Sequence, residues 1–127
     1  MKKKVELIYP ELSYIITGLL FKVHSAIGQF GREKQYGNML QNLLLESGLM
    51  FEREKALPID GLTNRFTNKV DFAINNLVLL DLKAKPIVTK EDFAQMKRYL
   101  DAGGYKLGLI ANFHQKFLKP VRVVRAV

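Results

Sequence analysis

Residues 69–83 read Lys69-Val70-Asp71-Phe72-Ala73-Ile74-Asn75-Asn76-Leu77-Val78-Leu79-Leu80-Asp81-Leu82-Lys83. Two β-rich runs, 69–74 and 77–83, flank an Asn-Asn pair, and asparagine tolerates the left-handed backbone that tight turns need. The stretch therefore predicts a hairpin. Its second strand is apolar on both faces until its end, which places it in the middle of a sheet. Residues two apart on a strand share a side, so Asp81 and Lys83 project together. With a two-residue turn at Asn75-Asn76, Ile74 pairs with Leu77 and Asp71 faces Leu80. Asp71 and Asp81 are then near neighbours offset by one residue, which a bulge or a longer turn would bring to one face.

Outward from the hairpin the period changes. On the N-terminal side, Phe51, Arg53, Lys55 and Leu57 alternate with Glu52, Glu54 and Ala56, a strand carrying long charged side chains and ending at Pro58. Asp60-Gly61 is a turn signal. Residues 11–27 carry Leu12, Ile15, Ile16, Leu19, Leu20, Val23 and Ile27 at helical spacing. Residues 32–47 repeat the pattern through Tyr36, Met39, Leu40, Leu43 and Leu44, after a break at residues 28–31. On the C-terminal side, Phe93, Met96, Lys97 and Leu100 share a face of a helix over 90–101, capped by Thr89 with Asp92 and stopped by Gly103-Gly104. Tyr105–Phe113 and residues 121–124 read as two further strands. The order predicts an α/β (α+β) sandwich with a mixed central β-sheet flanked by helices, the third and fourth strands being parallel across the helical crossover.

The chain has 127 residues, 48% hydrophobic and 25% charged, which suits one ordered domain. We expect a basic tail over 1–10 and a single domain over 11–127. There is no cysteine and there are only two histidines, so disulfides, thiolate sites and a histidine-rich zinc site are excluded. A metal here is held by oxygen, which suits Mg2+ or Mn2+. No apolar run spans a membrane, and the basic start lacks the apolar stretch of a signal peptide, so a cytoplasmic location is expected. The net charge is +8. Residues 1–63 hold 8 Lys/Arg against 7 Asp/Glu, whereas residues 64–127 hold 12 against 5. That asymmetry points to a polyanion, nucleic acid first, with solubility as the plainer alternative.

Two carboxylates at one spot repel unless a cation joins them. Asp71 and Asp81 with a divalent metal, and Lys83 beside them, suit phosphodiester hydrolysis. On spacing alone an ion pair of Asp81 with Lys83 or Lys85 explains the same residues. Glu33, in a first helical turn, is stabilised by the helix dipole or reaches the metal as a third carboxylate, with Tyr36 one turn on along the same face. Gln95, mid-helix after the Asp81 strand, touches substrate or sits on the surface. Lys97 and Arg98 beside it can reach phosphates. His24 reads first as a hydrogen-bonded histidine near Gly28, and Tyr99 and Tyr105 as packing residues.

Taken together, Leu12-Ser13-Tyr14, Thr17-Gly18, Val23-His24, Gly28, Glu33-Lys34-Gln35-Tyr36, Val70-Asp71-Phe72, Leu80-Asp81-Leu82-Lys83-Ala84, Ala94-Gln95, Tyr99-Leu100 and Gly104–Phe113 resemble the GxxExxY family over roughly residues 11–125. That family is grouped with the PD-(D/E)XK nuclease superfamily. The resemblance implies magnesium at the sheet edge, Asp71 and Asp81 as the first and second acids, Lys83 as the lysine, Glu33 as the helix glutamate and Gln95 as the glutamine after the core motif. The pattern departs in three places. Phe30 stands where the motif has glycine, Val70 where a proline is common, and Asp81 where glutamate is usual. The expectation is a divalent-metal-dependent nuclease acting on nucleic acid, DNA ahead of RNA, with a homodimer as a possible assembly. The alternatives are a non-catalytic nucleic-acid-binding module on the same fold and a purely structural domain.

Overall fold

The computed structural model describes residues 8–58 and 68–125. The Asp60-Gly61 turn and most of the expected basic tail lie outside the described residues. Helices α1 (Pro10–Ile27) and α2 (Glu33–Ser47) come first, followed by β1 (Phe51–Leu57), β2 (Asn68–Ile74) and β3 (Val78–Lys83). Helix α3 (Lys90–Gly103), β4 (Leu107–Asn112) and β5 (Val121–Val124) complete the chain. The helix expected from residue 11 starts at Pro10, whose fixed φ and missing N–H suit a first helical position. Ile8 and Tyr9 already pack against the core. None of the described helices is long and apolar enough to cross a membrane.

The five strands form one mixed sheet in the order β1-β2-β3-β4-β5, with β3 central as its two-sided apolar pattern requires. Only β3 and β4 run parallel, joined by the α3 crossover; the other pairs are antiparallel. Helices α1 and α2 cover one face, over Phe72, Ile74, Val78, Leu80, Leu82, Leu107 and Leu109. Helix α3 covers the other, over Val70, Ala73, Leu79, Ile110 and Val123. On α3, Met96 and Leu100 are buried as expected, but Lys97 is exposed. The fourth strand is shorter than the stretch 105–113. Tyr105 is held outside it, its hydroxyl donating to Asn76 Oδ1 at 2.9 Å.

Strict alternation fails at one place. Val70 packs under α3 while Phe72 packs under α1 and α2, although two residues apart should share a face. On β1, Arg53 reaches α2 while Leu57 packs under α3. The register 53↔72 and 55↔70 shows that no residue is inserted, so this is not a bulge. Glu54, bracketed by those pairs and opposite Asp71, has φ 53°. A left-handed residue inside a strand turns the chain over at that point. The two strands therefore change face together at Glu54 and Asp71.

Tyr36 fixes the entry to α2. It is fully buried, stacked on Phe113 with ring centres 4.2 Å apart, rather than sharing the exposed face of Glu33. Its hydroxyl donates to the Gly28 carbonyl at 2.6 Å and accepts from the Gly31 N–H at 2.8 Å. One side chain thus closes the connection between the two helices. Tyr36→Phe leaves both backbone groups without that partner and is expected to destabilise the fold by about 1–3 kcal/mol. Urea unfolding measures this, and an unchanged midpoint would remove the role given to the hydroxyl.

Candidate active site

The hairpin register differs by one from the two-residue turn. Ile74 pairs with Val78, Ala73 with Leu79 and Phe72 with Leu80, so Asn75, Asn76 and Leu77 all lie in the connection. Both asparagines adopt positive φ, 51° and 54°, a conformation their short polar side chains tolerate. The Asn75 side chain also accepts from the Met50 N–H at 3.0 Å, anchoring the turn to the start of β1. Leu80, expected opposite Asp71, instead faces Phe72. The longer turn carries Asp71 to the position across from Asp81.

There the side chains replace the ladder. The Asp71 N–H donates to Asp81 Oδ1 at 3.2 Å, and the Leu82 N–H donates to Asp71 Oδ2 at 2.7 Å. Each carboxylate is thereby pinned by the neighbouring strand's backbone. Asp81 is 5% exposed and Asp71 is half-buried at the cleft, so the pair is only partly open to water. Burial first, and then the charge of Asp81, push the Asp71 carboxyl from its ordinary 3.8 up to about 7, against the pull of the Leu82 N–H. Glu33 adds to that rise from across the cleft.

Lys83 stands beside the acids as the alternation of β3 requires. Its Nζ lies 3.2 Å from Asp81 Oδ2 and 3.9 Å from Asp92 Oδ1, and it donates to Gln95 Oε1 at 3.1 Å. Burial opposes its charge, but Asp81 and then Asp92 outweigh that and hold the ammonium above its usual pKa. Asp92 belongs to a second frame: it accepts from the Thr89 N–H at 2.8 Å and pairs with Lys85. These partners hold its carboxyl below the usual range although burial acts the other way. The cap residue read from the sequence is thus also a neighbour of the candidate lysine, and no spacing rule announced that. Gln95 is half-buried, and its side-chain oxygen holds Lys83.

Glu33, Lys34, Gly37, Arg53, Glu54, Asp71, Phe72 and Leu82 line an open cleft of about 410 Å³, within the range of ordinary ligand sites. Glu33 is exposed at the start of α2 and enters this cleft. The sequence reading gave Arg53 and Glu54 only as long charged side chains of the first strand and assigned them no role. Among the described residues no three histidine or carboxylate side chains gather around one point. The donor set offered to a cation is therefore the Asp71–Asp81 pair, with Glu33 further out. Mg2+ keeps several of its waters and is commonly held by one or two carboxylates, so the pair fits such an ion. His24 Nε2 donates to the Gln115 carbonyl, 2.8 Å away, tying α1 to the loop after β4. Tyr99 is buried, and Arg98 is exposed.

Comparison with known families and structures bears on the family and the fold. A sequence model of the PD-(D/E)XK nuclease superfamily matches residues 10–125. Comparison with curated proteins gave no match. Among solved structures, the alkaline exonuclease LHK-Exo from Laribacter hongkongensis superposes with a TM-score of 0.53 at 12% identity, over 99% of this chain and 73% of that one. LHK-Exo in complex with dAMP gives 0.51 at 12% identity, over 90% and 69%. At that identity the likeness is one of fold.

The acid pair sets a pH dependence. In the unfolded chain Asp71 loses its proton near its ordinary value, whereas in the fold it keeps it up to about 7. Between about pH 4 and 7 the native state binds more protons, so stability falls as pH rises through that window. In EDTA, Asp71→Asn removes the repulsion, and the amide oxygen of the new side chain can still accept from the Leu82 N–H. This variant is expected to melt above the parent at pH 8, with the gap closing toward pH 4. Thermal melts across that range measure it; parallel curves would show that the two carboxylates do not interact.

Proposed function

The chain belongs to the PD-(D/E)XK nuclease superfamily, and on that premise we propose that it is a divalent-metal-dependent nuclease. The observation that carries this is the pairing of Asp71 with Asp81 across β2 and β3, with Lys83 3.2 Å from Asp81. An ordinary structural ion pair does not need a second, half-buried acid beside the first. In this reading Asp71 and Asp81 hold Mg2+ or Mn2+, which when bound polarises a phosphoryl oxygen and acidifies a coordinated water. Glu33, on the same cleft, would be the third carboxylate of that set.

Lys83 keeps its proton on Nζ, because Asp81 and Asp92 favour the ammonium. It therefore enters as a cation that steadies charge on the phosphate rather than as a base. Gln95 accepts one of its protons at 3.1 Å and limits where the ammonium points. Helix α3 thus helps to position the lysine. The finer assignment we favour is the GxxExxY family, supported by Glu33 at the cleft and by the buried Tyr36 three residues on. DNA is taken ahead of RNA as the substrate.

Purified protein with Mg2+ or Mn2+ is expected to cut DNA, single-stranded or duplex, and to stop on addition of EDTA. Asp81→Asn and Lys83→Ala are each expected to slow cleavage by about 10²–10³-fold. A gel assay against DNA and RNA in single-stranded, duplex and branched forms checks this. A parent protein that cuts none of them, or variants that cut as fast as the parent, would overturn the reading.

A further inference from the structure

Among the described residues, Arg53 of the cleft is held in place without a counter-charge. Arg53 is half-buried on β1, and its Nη1 donates to Asn38 Oδ1 at 2.7 Å and to Gln41 Oε1 at 3.0 Å. Both acceptors are neutral amides of α2. Its guanidinium carbon lies 5.5 Å from the centre of the Phe72 ring. Gly37 makes room for it: a Cβ there would stand 2.6 Å from Nη2. Among the described residues no carboxylate lies within ion-pair distance of Arg53, although Lys83, Lys85, Lys55 and Arg125 all have one. Arg122 is also held by neutral oxygens, but there it ties the start of α1 to β5 at the opposite edge of the sheet.

Three contacts therefore fix the Arg53 guanidinium and none neutralises it. Holding a half-buried charge without a partner costs free energy. The two bonds to Nη1 use both of its hydrogens, so Nε–H and Nη2–H have no partner among the described residues. That pair of donors is the fork that matches a phosphate. We propose that Arg53 is a phosphate anchor, gripping the backbone of the nucleic-acid strand at a phosphate other than the one cut. Strand β1 lies two strand spacings, roughly 10 Å, from β3, which is too far for the phosphate served by Lys83. Lys34, exposed on the same cleft, adds a second positive charge. Gly37, Asn38, Gln41 and Phe72 are then the cradle that keeps the fork in place.

The substrate class rests on the nuclease reading, and the test separates the two. Fluorescence anisotropy of a fluorescein-labelled DNA, single-stranded and duplex, is followed in EDTA over a salt series. Arg53→Gln is expected to bind about tenfold more weakly, with the slope of log K against log[salt] reduced by about one. Arg53→Lys is expected to keep the slope and lose affinity, because it retains the charge but not the fork. Thermal melts identify any variant that has unfolded, and Arg53→Lys then carries the comparison. A parent that binds DNA but cuts nothing, with the Arg53 effects intact, would overturn the nuclease and keep the anchor. Unchanged affinity and slope in folded Arg53→Gln, or a parent that does not bind DNA, would overturn the anchor.

Discussion

Two carboxylates held side by side and partly shielded from water repel each other, and the sheet around Asp71 and Asp81 is arranged to keep them there. The three-residue connection sets the register that places one across from the other. The Asp71 N–H and the Leu82 N–H then turn from the backbone ladder to the two side chains. This is possible only because the ladder opens at that step, and it opens because β1 and β2 change face at Glu54 and Asp71. A left-handed glutamate in a strand is unfavourable in itself. It persists because Arg53 is tied to α2 on one side and Leu57 packs under α3 on the other.

The charges around the pair form a second constraint. Lys83 sits between Asp81 and Asp92, Asp92 between Lys83 and Lys85, and Gln95 limits the lysine from α3. The chain of alternating charges ties the end of β3 to the first turn of the helix that follows it. That helix start is capped by the same Asp92. The geometry of the lysine is thus coupled to the local folding of α3, and the acid pair is coupled to the hairpin. Two independent pieces of local structure converge on one spot.

The hairpin, the central strand and the parallel crossover were legible because periodicity and burial report them directly: Val78 to Leu80 is apolar on both faces, and β3 is central. The side-by-side placement of Asp81 and Lys83 follows from the two-residue period. The register was not legible. Asn-Asn is compatible with two-residue and three-residue connections, and the Asn75 side chain that binds Met50 N–H decides between them through a contact 25 residues away. The face change at Glu54 was invisible for a related reason. Glutamate has no preference for positive φ, so no local signal marks it.

The charge distribution along the chain misleads in an instructive way. Counting by halves puts the basic excess in residues 64–127, yet the cations that line the cleft, Lys34 and Arg53, both come from residues 1–63. Within the basic half, Lys83 and Lys85 are compensated by Asp81 and Asp92, while Lys97 and Arg98 are exposed. A sum over sequence averages across faces that the fold separates. What a polyanion meets is set by which cations remain uncompensated beside the acids. Near Asp71 that is decided by α2, whose Gly37, Asn38 and Gln41 accept an arginine without offering it a negative charge.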